Sequence, residues 1–110
     1  MAFQRGDVVL VPFPFTDLSA QRVRPAVVVS TPEYEQQTGD IIVAQITSRK
    51  RNLPTDHTLQ DWQSAGLLKP SIARAKLATI NASLVQFRTG QLTNHDTQEV
   101  DKRLRLALGL

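Results

Sequence analysis

The chain contains no cysteine, which removes disulfides, thiolate nucleophiles and thiolate metal sites from consideration and is compatible with a reducing compartment. No apolar run approaches the roughly 18 residues that cross a bilayer. Met1 to Arg5 lacks the basic region and long apolar stretch of a secretory leader, so the expected location is cytoplasmic. Histidine is scarce, and neither His57 nor His95 lies in a motif that suggests acid–base work, so both are expected to be structural. The acids Asp7, Asp40, Asp56 and Asp61 are scattered without metal-ligand spacing, Asp7 after Gly6 being expected as a turn residue, and no metal or cofactor is expected. Repeats, low-complexity tracts and linkers are absent too, which leaves one domain over residues 1–110.

What is present is an arginine bias. The formal net charge is +3, and nine of the thirteen basic residues are Arg. Lysine surfaces chiefly solubilise, whereas the planar guanidinium grips phosphate with two donors, so the balance leans toward RNA or DNA.

The apolar runs are short and β-branched. Asp7 to Val11 reads as a buried strand. Pro12-Phe13-Pro14-Phe15 cannot continue it centrally, because each proline removes a ladder donor, so 12–23 is expected to be a loop. Pro25 opens a second strand from Ala26 to Ser30, and Ile41 to Ile46 forms a third. Residues 57–60 suit a weak edge strand, 71–79 a further strand, and 86–92 a last one broken at Gly90. Asn81 to Val85 suits one helical turn. At the C-terminus Val100, Leu104, Ala107 and Leu108 fall on one helical face, with Thr93 or Asn94 as N-cap and Gly109 as stop. The pattern is mainly β with a C-terminal helix, a small and strongly bent β-barrel or half-barrel.

Polar groups cluster at the ends of these strands. Arg22 and Arg24 enter the second strand, while Thr47 and Ser48 leave the third. Two guanidiniums and two hydroxyls so placed suit an anion or phosphate site. Each also has a plain structural alternative: Arg24 as a surface residue beside a Pro-started strand, and Thr47-Ser48 as turn formers. Arg49-Lys50-Arg51 follows as either a solvated loop or a phosphate contact. Phe13, Phe15 and Trp62 are candidates for stacking on bases, or for anchoring loops on the core.

Several segments together resemble the MazF/PemK family, the ribonuclease toxins of bacterial toxin–antitoxin modules. They are Arg5-Gly6-Asp7-Val8-Val9-Leu10, Arg24-Pro25-Ala26-Val27-Val28 and Ile42-Val43-Ala44-Gln45-Ile46-Thr47-Ser48. Leu53-Pro54, Lys69-Pro70-Ser71-Ile72-Ala73-Arg74, Thr79-Ile80 and Ala107-Leu108-Gly109-Leu110 continue in the same order. The resemblance implies an SH3-like β-barrel of the CcdB/PemK type that forms a homodimer and cuts single-stranded RNA without a metal or cofactor. It further implies an acidic antitoxin partner, with DNA bound only through the antitoxin complex. By this similarity Arg24 and Thr47 match the catalytic Arg and Thr, and Ser48 and Arg74 match positions that help bind or cleave RNA.

One branch of the family carries an acidic base two residues after the second Arg. Lys76 stands there in this chain, so a carboxylate-base mechanism is not implied. Lys76 joins Arg22, Asp17 and Phe15 on the expected substrate-binding side, Asp17 also being a candidate base and Phe15 part of a loop that covers the site. The alternatives are a non-enzymatic module of the same architecture, either a CcdB-like gyrase poison or an RNA or peptide binder.

Overall fold

A computed structural model describes residues 2–12 and 23–110. The elements run β1 (Asp7–Pro12), β2 (Val23–Val28), α1 (Pro32–Thr38), β3 (Asp40–Thr47), β4 (Asp56–Thr58), β5 (Ile72–Asn81), a 3-10 turn (Ala82–Leu84), β6 (Phe87–Gln91) and α2 (Asn94–Leu108). The six strands make one antiparallel sheet in the order β4-β5-β3-β2-β1-β6. Among the described residues no ladder joins β4 to β6, so the expected barrel is open and the sheet keeps two edges. Register shifts at Val8/Val9 against β6, and at Ala44/Ile46 against β5, bend it. The expected loop at 12–23, with Phe13, Phe15, Asp17 and Arg22, lies almost wholly outside the described residues.

Alternation along the strands builds two apolar clusters, one on each face. Val8, Val27, Ala44, Ile46 and Ala73 pack with Val100, Leu59, Ala65 and Leu92, and α2 contributes Leu104 at their border. Val9, Val11, Ala26, Val28, Ile41, Val43, Ala78 and Ile80 form the second cluster, with Phe3, Ala82 and Val85 against it. Trp62 borders the first cluster, so it serves the core as an anchor.

Three expectations about local structure are corrected. The second strand starts at Val23 and ends at Val28, with Pro25 inside it opposite Leu10. Proline is tolerated there because the ladder to β3 begins only at Ala26, beyond the missing donor. Asp7 is not a turn residue but the buried first residue of β1. It accepts hydrogen bonds from Gln4 N–H at 2.9 Å and Gln91 Nε2 at 3.2 Å and pairs with Arg88 at 3.2 Å. On α2 the apolar face is used at Val100 and Leu104, whereas Ala107 and Leu108 are exposed.

The helix starts and stops as its sequence requires. The Thr93 hydroxyl accepts from Asp96 N–H at 3.2 Å, and Gly109 closes the last turn with φ 72°. Asp96 itself is fully buried. Its Oδ1 accepts from Gln60 N–H at 2.9 Å and from His57 Nε2 at 2.8 Å, and its Oδ2 accepts from Asp61 N–H at 3.0 Å. One carboxylate thus ties the start of α2 to β4 and to the chain that follows it. His57 has the structural role expected of it.

Burial alone would raise the Asp96 carboxyl above its usual range; the Gln60 and Asp61 amides and His57 outweigh that and hold it below. A lowered folded value stabilises the protein above the ordinary carboxylate pKa, about 4, and that contribution is lost as the pH falls through the folded value. Asp96→Ala should therefore cost about 3 kcal/mol at neutral pH. Its unfolding free energy, followed by denaturant titration, should also fall less steeply below pH 4 than that of the wild type. Equal acid sensitivity in the two proteins would refute the assignment.

A cationic cleft at the strand ends

Arg24 and Thr47 come together because β2 and β3 are antiparallel neighbours. Ala26 pairs with Gln45, so Arg24 lies two residues from that pair on the same face, beside the end of β3. The cleft there has a volume of about 490 Å³. Arg24, Gln45, Thr47, Ser48, Lys69, Ser71 and Thr89 supply its polar lining, and Leu10, Val23, Ile46, Leu67, Leu68 and Phe87 its apolar walls. No described lining residue carries a carboxylate or an imidazole. The cations are Arg24 and Lys69, and an anion seated between them meets no carboxylate there.

The Thr47 hydroxyl is held with its proton to give, whereas the Ser71 hydroxyl donates to Lys69 O at 2.9 Å. Arg49 N–H donates to Thr47 Oγ1 at 3.2 Å, which occupies a lone pair and leaves the hydroxyl proton free. Two side-chain atoms of lining residues are buried without any partner among the described residues, the Arg24 Nε donor and the Gln45 Oε1 acceptor. A buried polar atom left unpaired costs about 1–3 kcal/mol.

A second recess of about 570 Å³ continues past Ser48 and Ser71 and is lined also by Lys50, Arg51, Asn52, Thr58, Pro70 and Ile72. Its outer wall is braced. Arg51 Nε and Nη2 donate to the two carboxylate oxygens of buried Asp56 at 2.8 and 2.9 Å. That fork is the chief cause of a lowered Asp56 carboxyl, with the Leu53 amide adding to it against the cost of burial. Arg51 is thereby a structural residue of its loop, and Lys50 is the cation that faces the recess with no carboxylate among its lining.

The residues expected at a site divide in two. Arg24, Thr47 and Ser48 converge on the cleft. Arg74 and Lys76 do not line it. Arg74 pairs in register with Asp56 on β4, and its Nη2 donates to Arg49 O at 3.3 Å, so it braces the turn after Thr47 from outside. Lys76 is exposed in the part of β5 where residues 74–76 bulge opposite Gln45. Gln45, Lys69, Ser71, Phe87 and Thr89 were not singled out from sequence. The signal available for Gln45 was one polar residue inside an apolar strand.

The far wall depends on a close approach. A Cβ on Gly90 would lie 2.7 Å from Ala65 C and 2.8 Å from Ser64 O, and one on Gly66, at φ +75°, would lie 2.2 Å from Thr89 O. Residues 64–67 therefore sit directly on β6, and Thr89 Oγ1 donates to Ala65 O at 2.8 Å to hold them.

An open six-stranded antiparallel sheet with a C-terminal helix and a cationic cleft at its strand ends defines a small class of β-domains. Residues 4–108 match the family of PemK-like, MazF-like toxins of type II toxin–antitoxin systems, and the chain belongs to that family. No curated protein matches it. Among solved structures it resembles an endoribonuclease in complex with its cognate antitoxin from a mycobacterial species, at TM-score 0.83 and 22% identity over 99% of this chain and 97% of the other. A MazE-MazF structure from Deinococcus radiodurans matches at TM-score 0.79 and 21% identity over 100% and 98%. The Mycobacterium tuberculosis toxin MazF-mt6 matches at 0.78 and 18% over 94% and 97%. These likenesses show the shared fold.

Gly90→Ala should push the 64–67 segment off β6, costing about 1–3 kcal/mol as overpacking does. Hydrogen exchange should then quicken at Gly66 and Leu67 more than in β3. A variant as stable as the wild type, with no local change in exchange, would contradict this wall.

Proposed function

We propose that the protein is the endoribonuclease toxin of its module and cleaves single-stranded RNA without a metal, with Arg24 and Thr47 as catalytic residues. The observation that carries this reading is the convergence of Arg24, Thr47 and Ser48 on one cleft whose described lining holds cations and hydroxyls and no carboxylate. Such a donor set suits a phosphodiester and offers little to a metal ion. Among the described residues no three of His, Cys, Asp and Glu gather.

In the proposed reaction the 2′-oxygen bonds to phosphorus while the P–O5′ bond breaks, giving a 2′,3′-cyclic phosphate and a 5′-hydroxyl. Negative charge builds on the non-bridging oxygens. Arg24 clamps them with its permanent charge, and the free Thr47 proton donates to the same phosphate. The 2′ proton leaves to water, since arginine cannot accept it, and the departing 5′-oxygen takes a proton from water to become the 5′-hydroxyl. Ser48 and the recess beyond it, with Lys50, give the neighbouring nucleotides a path.

Arg74 acts in this scheme by positioning the turn that carries Thr47. Arg22, Asp17, Phe15 and Lys76 complete the substrate-binding set proposed from the sequence; the first three lie outside the described residues, and Lys76 stands away from the cleft. An acidic antitoxin would silence the enzyme by covering the cations. A homodimer would cover apolar surface such as Leu106, Leu108 and Leu110, which are 59%, 56% and 84% exposed.

Arg24→Lys keeps the charge but loses the planar fork, and should lower kcat on a long single-stranded RNA about a hundredfold with the fold intact. Thr47→Ala should lower kcat with KM little changed. Wild-type rates in Arg24→Lys would sink the clamp, and loss confined to KM in Thr47→Ala would sink the role given to its hydroxyl.

A further inference from the structure

The cleft wall carries an aromatic ring that the fold does not use. Phe87 is 62% exposed and stands outside both apolar clusters. In register it lies opposite Leu10 of β1, and Leu10 lies opposite Pro25 of β2, so the three form one row on one face of three adjacent strands. All three line the cleft. Neighbouring strands are about 4.8 Å apart, which puts Phe87 about 10 Å from Pro25, the residue after Arg24. Leu68, 96% exposed, follows the far wall and leads into Lys69, and both also line the cleft. An exposed apolar surface thus runs directly into a cationic one.

The occupant of such a cleft must be apolar where it meets the row and anionic at its edge. An apolar protein segment would cover Phe87, Leu10 and Pro25 but would leave Arg24 and Lys69 without a counter-charge, since no described lining residue carries a carboxylate. A nucleotide meets both demands, with its base flat on the row and its phosphate at the cations. We propose that Phe87 is a substrate-positioning residue whose ring stacks on the base adjoining the phosphate held at Arg24 and Thr47. This rests on the RNA-cleaving role proposed for the same cleft. Every base has a π-face, so the ring fixes the nucleotide in place and leaves the identity of the base to be read by other groups.

The test is a cycle between the ring and single bases. A short single-stranded RNA spanning one position that the wild type cuts is bound to the non-cleaving Thr47→Ala protein, with and without Phe87→Ala. The RNA is used intact and as a series in which one nucleotide at a time is abasic. Stacking of one base corresponds to roughly five- to a hundredfold in affinity. Phe87→Ala should weaken binding of the intact RNA by such a factor. Removing the base at one position beside the cut should do the same, and on that abasic RNA Phe87→Ala should cost nothing further. Phe87→Trp should bind the intact RNA at least as tightly as the unaltered ring, with the melting temperature of Phe87→Ala close to wild type because the ring is exposed. Unchanged affinity in Phe87→Ala, or losses that add at every position, overturns the inference while wild-type cleavage in EDTA keeps the reading of the cleft. A change from dimer to monomer on Phe87→Ala, seen by sedimentation, also overturns it and assigns the ring to a second copy of the chain. A folded wild type that cuts no RNA, with no binding by Thr47→Ala, overturns both.

Discussion

The buried Asp96 carboxylate is the constraint on which the working parts depend. It is a charge removed from water, and such a charge is tolerable only when fully hydrogen-bonded. Two backbone amides from residues 60 and 61, with His57, meet that requirement. In doing so they fix where α2 starts, where β4 lies, and where the chain after β4 sets off. That chain reaches residues 64–67, which rest on β6 and form the far wall of the cleft. The near wall is the β2–β3 pair. A carboxylate outside the cleft therefore helps to set its width.

The cleft carries its chemistry in what it leaves unpaired. Several charged side chains elsewhere are partnered: Arg51 by Asp56, Arg88 by Asp7, Arg5 by Asp101. In the cleft Arg24 and Lys69 stand among hydroxyls and apolar walls, with no carboxylate in the described lining. Charge pairing near Arg24 would blunt its field. Its absence from the described lining keeps that field available for a phosphate.

Much of this order was legible in the residues. Valine- and isoleucine-rich runs bounded by proline and glycine mark strands because branched side chains favour the pleated surface, and the C-terminal helix carries its own cap and stop. Arg24, Thr47 and Ser48 stood out as polar groups at the ends of apolar runs. Pro25 misled, since the position of a strand end depends on which neighbour needs the missing N–H, and that is a property of the ladder. Asp7 was read as a turn former because its burial depends on Arg88 and Gln91, more than eighty residues away. The placing of Arg74 and Lys76 beyond the cleft goes with the bulge opposite Gln45. Bulges have no reliable signature in a single chain.

The central claim is metal-free RNA cleavage at the Arg24–Thr47 cleft, and the chemistry of the product ends tests it most directly. The purified protein would be incubated with a long single-stranded RNA in excess EDTA and the fragment termini identified by mass spectrometry. Discrete fragments ending in 2′,3′-cyclic phosphate with 5′-hydroxyl partners, absent with Arg24→Ala, are the predicted result. Intact RNA from a folded wild-type protein, or cleavage that Arg24→Ala retains in full, would contradict the account.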